Sequence, residues 1–228
     1  MKNLILFMTP QSSGTKLIRS IFKQIFGCKK VGAVEEGEGF YLTESAEGYP
    51  QPQNGFIEAG HLAENPQRNK DIVKAAKNKF TPENTFIVFP IRDYDSVMRS
   101  LKNKRVIERM GESLEEAEIF HQDCLFEIIS LMKEYKNISD VHCQWISYEF
   151  LTYEPSFYIN ILSKKMKLPI ILNDSDFYKV CKTITPQNKK HYKHTNLNMV
   201  APHHLVEVPT YFDTYWGMLL NSLRRQNK

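Results

Sequence analysis

Apolar positions along the chain alternate between short continuous runs and longer stretches spaced by three and four. Asn3 to Met8 (NLILFM) is a brief apolar run bounded by turn residues, the pattern of a strand buried on both faces. After Gly14, residues Leu17, Ile18, Ile21, Phe22, Ile25 and Phe26 mark one side of an amphipathic helix that Gly27 ends. Val31 to Pro52 is rich in Gly and Glu with no sustained period, which predicts a surface loop or short strands. Gly55 to Leu62 (GFIEAGHL) predicts a second strand ending near His61, and Pro66 to Lys79 a helix with Ile72, Val73 and Ala76 on its apolar side. Asn84 to Ile91 (NTFIVFPI) predicts a further buried strand, which runs into Arg92-Asp93 and a helix from about Asp95 to Lys104.

The second half continues the alternation. Ser113 followed three residues later by Glu116 is a capping-box signature for a long helix to Tyr135. Val141 to Tyr148 has strand character, and Pro155 stands where the next helix, Phe157 to Met166, begins. Strands alternating with helices predict an α/β fold of three layers, a central parallel sheet flanked by helices, within a single domain spanning 1–228. In the C-terminal part, from 171 to 228, Pro186 to His204 is polar and rich in His and Lys. Pro209 to Arg225 predicts a terminal helix carrying Tyr211, Tyr215, Trp216, Leu219 and Leu223.

Composition narrows the function classes. A formal charge of +4 and a pI near 8.7 suit an anionic ligand but lack the basic stripe of a nucleic-acid binder, so no nucleic-acid partner is expected. The four cysteines are widely spaced, without a CxxC pair or His at metal-ligand spacing, and read as free thiols of a reducing compartment, with no metal expected. Met1 to Met8 does not have the form of a secretory leader, and no apolar run reaches the length of a transmembrane segment; a cytoplasmic protein is expected.

Three segments carry candidate chemistry. The first is Thr9-Pro10-Gln11-Ser12-Ser13-Gly14-Thr15-Lys16-Leu17, between the first strand and the first helix. Strand, tight polar turn and helix in immediate succession aim the helix's unpaired amides above the strand's carboxyl end. Gly14 removes a Cβ from the path of an anion, Ser13 and Thr15 offer hydroxyls, and Lys16 adds charge. The same residues also suit an ordinary capped helix start. A Walker loop, GxxxxGK[ST], fits poorly, because its first glycine is missing and Thr15 precedes the lysine.

The second segment is Ile87 to Ser100 (IVFPIRDYDSVMRS), where Arg92 closes a buried strand and Ser100 follows eight residues later in a helix. Both can reach one phosphate near the strand ends, the arginine through a forked, charge-assisted contact. The alternative is a surface Arg92–Asp93 ion pair with Ser100 facing solvent. The third segment is Tyr148-Glu149-Phe150-Leu151, followed by Pro155 and a helix ending at Leu168-Pro169.

In order and context these segments, covering roughly residues 4 to 170, resemble the sulfotransferase family that uses 3'-phosphoadenosine 5'-phosphosulfate. That family's 5'-phosphosulfate loop reads Pro-Lys/Arg-Ser-Gly-Thr/Ser-Thr-x-Leu, its Arg and the Ser eight positions on hold the 3'-phosphate, and its Tyr-Glu-Asp-Leu segment is similar to the one at Tyr148. The resemblance implies a P-loop NTPase-like sulfotransferase architecture and a nucleotide site of Ser12, Ser13, Gly14, Thr15, Lys16, Arg92, Ser100 and Tyr148. It implies release of 3',5'-adenosine bisphosphate and a hydroxyl (or amine) acceptor on a glycan, lipid or small molecule.

His61, in a segment similar to the family's Lys-Thr-His-Leu, becomes the candidate base, against the alternative of a hydrogen-bonded surface histidine. Four departures stand out. Ser12 replaces the cation that supports the leaving group, Ala59 the lysine ahead of the histidine, and Phe150 the acid of Tyr-Glu-Asp-Leu, while the Arg-Lys-Gly segment near the family's C-terminus is missing. Lys16 is the candidate catalytic cation in place of Ser12. Two other readings remain: a nucleotide-dependent kinase or P-loop NTPase, which would need Mg²⁺ and an acidic ligand for it, and a nucleotide-binding module without catalysis.

Overall fold

Strand β1 (Asn3–Thr9) is buried at every position, and β5 (Asn84–Ile91) at every position after its first, as expected of strands covered on both faces. In the computed structural model, the described residues are 1–10, 13–36, 40–45, 50–61, 66–92, 94–103 and 113–184. The other strands are β2 (Lys29–Glu36), β3 (Phe40–Glu44), β4 (Asn54–His61) and β6 (Val141–Ser147), and the six form one sheet in the order β3-β2-β4-β1-β5-β6. Five are parallel, with Leu6 of β1 opposite Ile57 of β4 on one side and Ile87 of β5 on the other.

The helices are α1 (Thr15–Gln24), α2 (Pro66–Phe80), α3 (Tyr94–Asn103), α4 (Leu114–Tyr135), α5 (Tyr148–Tyr153), α6 (Pro155–Met166) and α7 (Asp174–Ile184). The connection β1-α1-β2 runs toward the β3 edge and β4-α2-β5 toward the β6 edge. Right-handed crossovers in opposite directions put α1 and α2 on opposite faces of the sheet. This is the expected three-layer α/β architecture, and its chain reverses direction across the sheet at β1. Crevices at the carboxyl ends of strands beside such a reversal are where open α/β sheets bind ligands.

On the α1 face, Phe7 meets Phe22 and Phe56 edge-on, with ring centroids 5.2 and 5.6 Å apart, and Phe22 meets Phe26 at 5.3 Å. Burying each such ring contributes about 1.5–3 kcal/mol, so this cluster anchors α1 firmly against β1. Helices α2 and α4 are joined by polar contacts: Asn69 donates to Glu127 at 3.2 Å, and Lys70 pairs with Glu134 at 3.0 Å. Burial raises the Glu127 carboxyl above its usual range, while the Asn69 amide and Lys70 charge oppose the shift.

Two expectations need correction and a third is resolved. The sheet is mixed, because β3 runs antiparallel to β2 at its edge. Of the two alternatives for the Gly- and Glu-rich segment after Val31, short strands are the one present, as the end of β2 and all of β3. A Cβ at Gly32 would stand 2.3 Å from the Thr43 carbonyl oxygen, so the glycine permits the close approach that the hairpin needs. Strand β6 ends at Ser147, one residue early, because the Ser147 hydroxyl accepts from the Phe150 amide at 3.2 Å and turns the chain into α5.

The described elements fall within one unit, Met1–Ile184. The expected helix from Pro209 to Arg225, and with it the extent of a single domain over 1–228, lies outside the described residues. No helix among the described residues is long and apolar enough to cross a membrane. None of the four cysteines is in a disulfide, and burial pushes the Cys28 and Cys143 thiols up to about 12, far from the range of a reactive thiolate.

Candidate functional site

The turn between β1 and α1 is shaped by its own side chains. The Ser13 hydroxyl is buried and donates to the Pro10 carbonyl at 2.7 Å, with the Thr15 hydroxyl 3.4 Å away. Its proton is therefore engaged inside the turn, and Ser13 holds the loop's form. Gly14 follows in the left-handed region, φ 89° and ψ 18°, and its carbonyl accepts from the Leu17 and Ile18 amides at 3.0 and 3.2 Å. As N-cap it brings no side chain to the first-turn amides, and no acid stands in that turn. The positive end of α1 thus has no N-cap side chain and no first-turn acid, and Lys16 adds an exposed cation beside it.

Gly14 is required for a second reason. A Cβ built there would lie 2.2 Å from Cδ2 and 2.6 Å from Cε2 of Tyr148. The tyrosine ring, half-buried at the first position of α5, rests against the glycine's open face. It also carries the Arg92 guanidinium, whose Cζ lies 4.5 Å from the ring centroid, within range of a cation–π contact. Arg92 follows directly on β5 and Tyr148 directly on β6. Gly14, Tyr148 and Arg92 therefore meet at the carboxyl ends of three adjacent parallel strands, β1, β5 and β6.

The other predicted residues that are described lie on α1, α3 and β4. Ser100 is half-buried in the second turn of α3, the helix that follows Arg92. Thr15 is half-buried and Lys16 exposed in the first turn of α1. His61 is the last residue of β4, in register with Thr9 at the end of β1, so its backbone stands beside the start of the loop; its side chain lies outside the described residues. Ser12 and Asp93 also lie outside them. Ala59, where the resembling family carries a lysine, is 2% exposed in the packed sheet, so the position offers no open place for a cation.

Two features escaped the sequence reading. Glu58, three residues before His61, holds Arg19 of α1 at 2.5 Å and Lys30 of β2 at 3.3 Å. This clamps α1 across β4 and β2 below the loop. Behind Tyr148, the amide of Ser147 donates to the Tyr158 hydroxyl at 3.0 Å. Tyr158 is almost wholly buried in α6, and burial holds its phenol well above the usual range, so it remains a neutral acceptor at the strand's end. Ser147 three residues before Phe150 carries a weak N-cap signal in the sequence; Tyr158, one aromatic among the apolar positions of α6, carries none.

A separate cavity of about 120 Å³ opens at the amino ends of β5 and β6, lined by Asn84, Phe86, His142, Gln144, Lys165 and Lys167 among others. It is at the opposite end of the sheet from Gly14 and Arg92, away from the loops that place ligands in such folds. Among the described residues, no group of three or more His, Cys, Asp or Glu is arranged to hold a metal ion.

No protein-family model matches the chain, and no curated protein matches it in sequence. Among solved structures, the mouse sulfotransferase SULT7A1 complexed with PAP is similar, with a TM-score of 0.52 and 13% sequence identity. The match covers 81% of this chain and 64% of that one, so the chain spans less than two thirds of its length. At that identity the likeness is one of fold: a sheet flanked by helices in the P-loop-like arrangement of a sulfotransferase.

Proposed function

We propose that the chain is a sulfotransferase that moves a sulfuryl group from 3'-phosphoadenosine 5'-phosphosulfate to a hydroxyl or amine of a glycan, lipid or small-molecule acceptor. The observation that carries this reading is the meeting of Gly14, Tyr148 and Arg92 at the strand ends, where an uncapped helix terminus and a held guanidinium offer two anion-binding points. A nucleotide phosphorylated at both the 5' and 3' positions is a ligand with two anionic ends. The PAP carried by the structurally similar mouse protein supports the choice of that ligand class.

The residues present fit such a group. The first-turn amides of α1 and the Thr15 hydroxyl bind the 5' side, with Gly14 leaving room for it. Arg92 and Ser100 bind the 3'-phosphate, the guanidinium through paired donors. The nucleotide, when bound, supplies the sulfuryl group and accepts the electrons of the broken S–O bond. His61, as base, takes the acceptor's proton as the new bond to sulfur forms, and Lys16 steadies the charge that develops on the departing side.

Titration with 3',5'-adenosine bisphosphate and with ATP, each with and without Mg²⁺, tests the site. Tight binding of the bisphosphate without metal is expected; ATP binding that requires Mg²⁺, with no response to the bisphosphate, would instead make the protein a nucleotide-dependent kinase or NTPase. Transfer of labelled sulfate from the cofactor to a panel of glycans, lipids and phenols tests the chemistry. The His61→Ala variant is expected to bind the bisphosphate normally and lose at least about a hundredfold in transfer, and unchanged turnover would remove His61 as the base.

A further inference from the structure

Tyr148 touches both anion-binding points. Its ring lies against the backbone of Gly14 on the helix side and against the Arg92 guanidinium on the strand side. The ring is itself held from behind. Ser147 donates its amide to Tyr158, whose ring packs edge-on against Phe150 at 4.9 Å and 71°, and the Ser147 hydroxyl caps α5. The Thr152 hydroxyl lies 3.0 Å from the carbonyl oxygens of both Tyr148 and Glu149, fastening the short helix one turn on.

From this geometry we infer that Tyr148 is a positioning residue that sets the distance between the loop at Gly14 and Arg92, and thereby makes the site select nucleotides with phosphates at both the 5' and 3' positions. The physical reason is orientational. An arginine side chain has many rotamers, and only a few direct its fork at a phosphate whose place is fixed by the loop. A cation–π contact with an aromatic face restricts where the guanidinium can sit and does not itself consume N–H donors. A rigid ring between loop and arginine transmits the position of one to the other, since it cannot yield to a shift of the glycine backbone without displacing the guanidinium.

The inference rests on the nucleotide reading proposed above, and its test separates the two. The measured quantity is a selectivity: the Kd for adenosine 5'-monophosphate divided by the Kd for 3',5'-adenosine bisphosphate, for variants whose melting temperature and circular dichroism match the wild type. The wild type is expected to favour the bisphosphate by a large factor. Tyr148→Phe keeps the ring and is expected to keep that factor within about twofold, whereas Tyr148→Leu loses the stacking face and is expected to lower it about tenfold. Tyr148→Met, whose unbranched chain can follow more of the ring's length, replaces the leucine variant should the latter not fold.

The decisive arm is a double-mutant cycle with Arg92→Ala. A residue that acts by holding Arg92 has nothing left to hold in that background, so Tyr148→Leu should cause no further fall in selectivity there. A full additional tenfold fall in the Arg92→Ala background, or unaltered selectivity in Tyr148→Leu alone, overturns the positioning role while leaving the nucleotide site standing. A wild type that binds both nucleotides equally, or neither, overturns the nucleotide reading and this inference with it.

Discussion

Helices α1 and α4 begin in opposite ways. At α4, the Ser113 hydroxyl accepts from the Glu116 amide at 3.1 Å, the Glu116 carboxylate accepts from the Ser113 amide at 2.5 Å, and Glu115 and Glu116 both stand in the first turn. The orphan amides and the positive end of the dipole are answered by residues of the same turn. At α1, the N-cap is a glycine without a side chain, the neighbouring Ser13 hydroxyl turns back to Pro10, and a lysine takes the place of the acids. One terminus is complete in itself; the other has neither an N-cap side chain nor a first-turn acid. Because α1 is anchored by Phe22 against Phe7 and by Arg19 against Glu58, its open end stays in position without a cap.

Closing that open end should produce the largest effect. Gly14→Ala forces a Cβ into the Tyr148 ring and a side chain into the left-handed region, and is expected to cost roughly 2–4 kcal/mol of stability as well as most of the bisphosphate affinity. Chemical denaturation and nucleotide titration measure the two losses, and an alanine variant as stable and as tightly binding as wild type would show the left-handed turn to be incidental. Lys16→Ala leaves the turn intact and removes only the exposed cation. It is expected to lower turnover by about a hundredfold, the range for loss of one charge-stabilising donor, with little change in melting temperature. Full turnover would assign the developing charge to another group.

The contrast between the two termini also marks what the sequence could tell. Strands β1 and β5 were legible because burial on both faces leaves an unbroken apolar run, and α4 because its cap is written in adjacent residues. The tight turn at Gly14 ahead of α1 was legible for the same local reason. The antiparallel pairing of β2 with β3 was not: the sequence left loop or short strands open there, because the glycines and glutamates of this hairpin carry no apolar alternation, and Gly32 serves a backbone approach to Thr43 rather than a side-chain pattern. The ring of Tyr148 against Gly14 joins positions far apart in the chain, so no local pattern could announce it. Ser13 shows the limit in miniature, since its hydroxyl suits a ligand by composition but serves the Pro10 carbonyl by geometry.

Opening the closed terminus should have the complementary and smaller effect. Ser113→Ala removes one half of the capping box and is expected to cost about 1 kcal/mol of stability in denaturant, with the bisphosphate Kd unchanged. Acid should act in the same direction and more weakly. Bonding first to the Ser113 amide and then to its hydroxyl holds the Glu116 carboxyl below its usual value of 4.5. A carboxyl whose folded pKa is depressed contributes stability above its unfolded pKa and loses it as pH falls through the folded one. Stability from this cap is thus fully present above about pH 5 and declines below the unfolded value near 4.5. The decline should be blunted in Glu116→Gln, whose amide can still accept from Ser113 but does not titrate. Since α1 has no first-turn acid, amide exchange in its first turn should show no such change over the same pH range, once corrected for the intrinsic exchange rate. Equal acid sensitivity at both ends would mean that the comparison rests on something other than the caps.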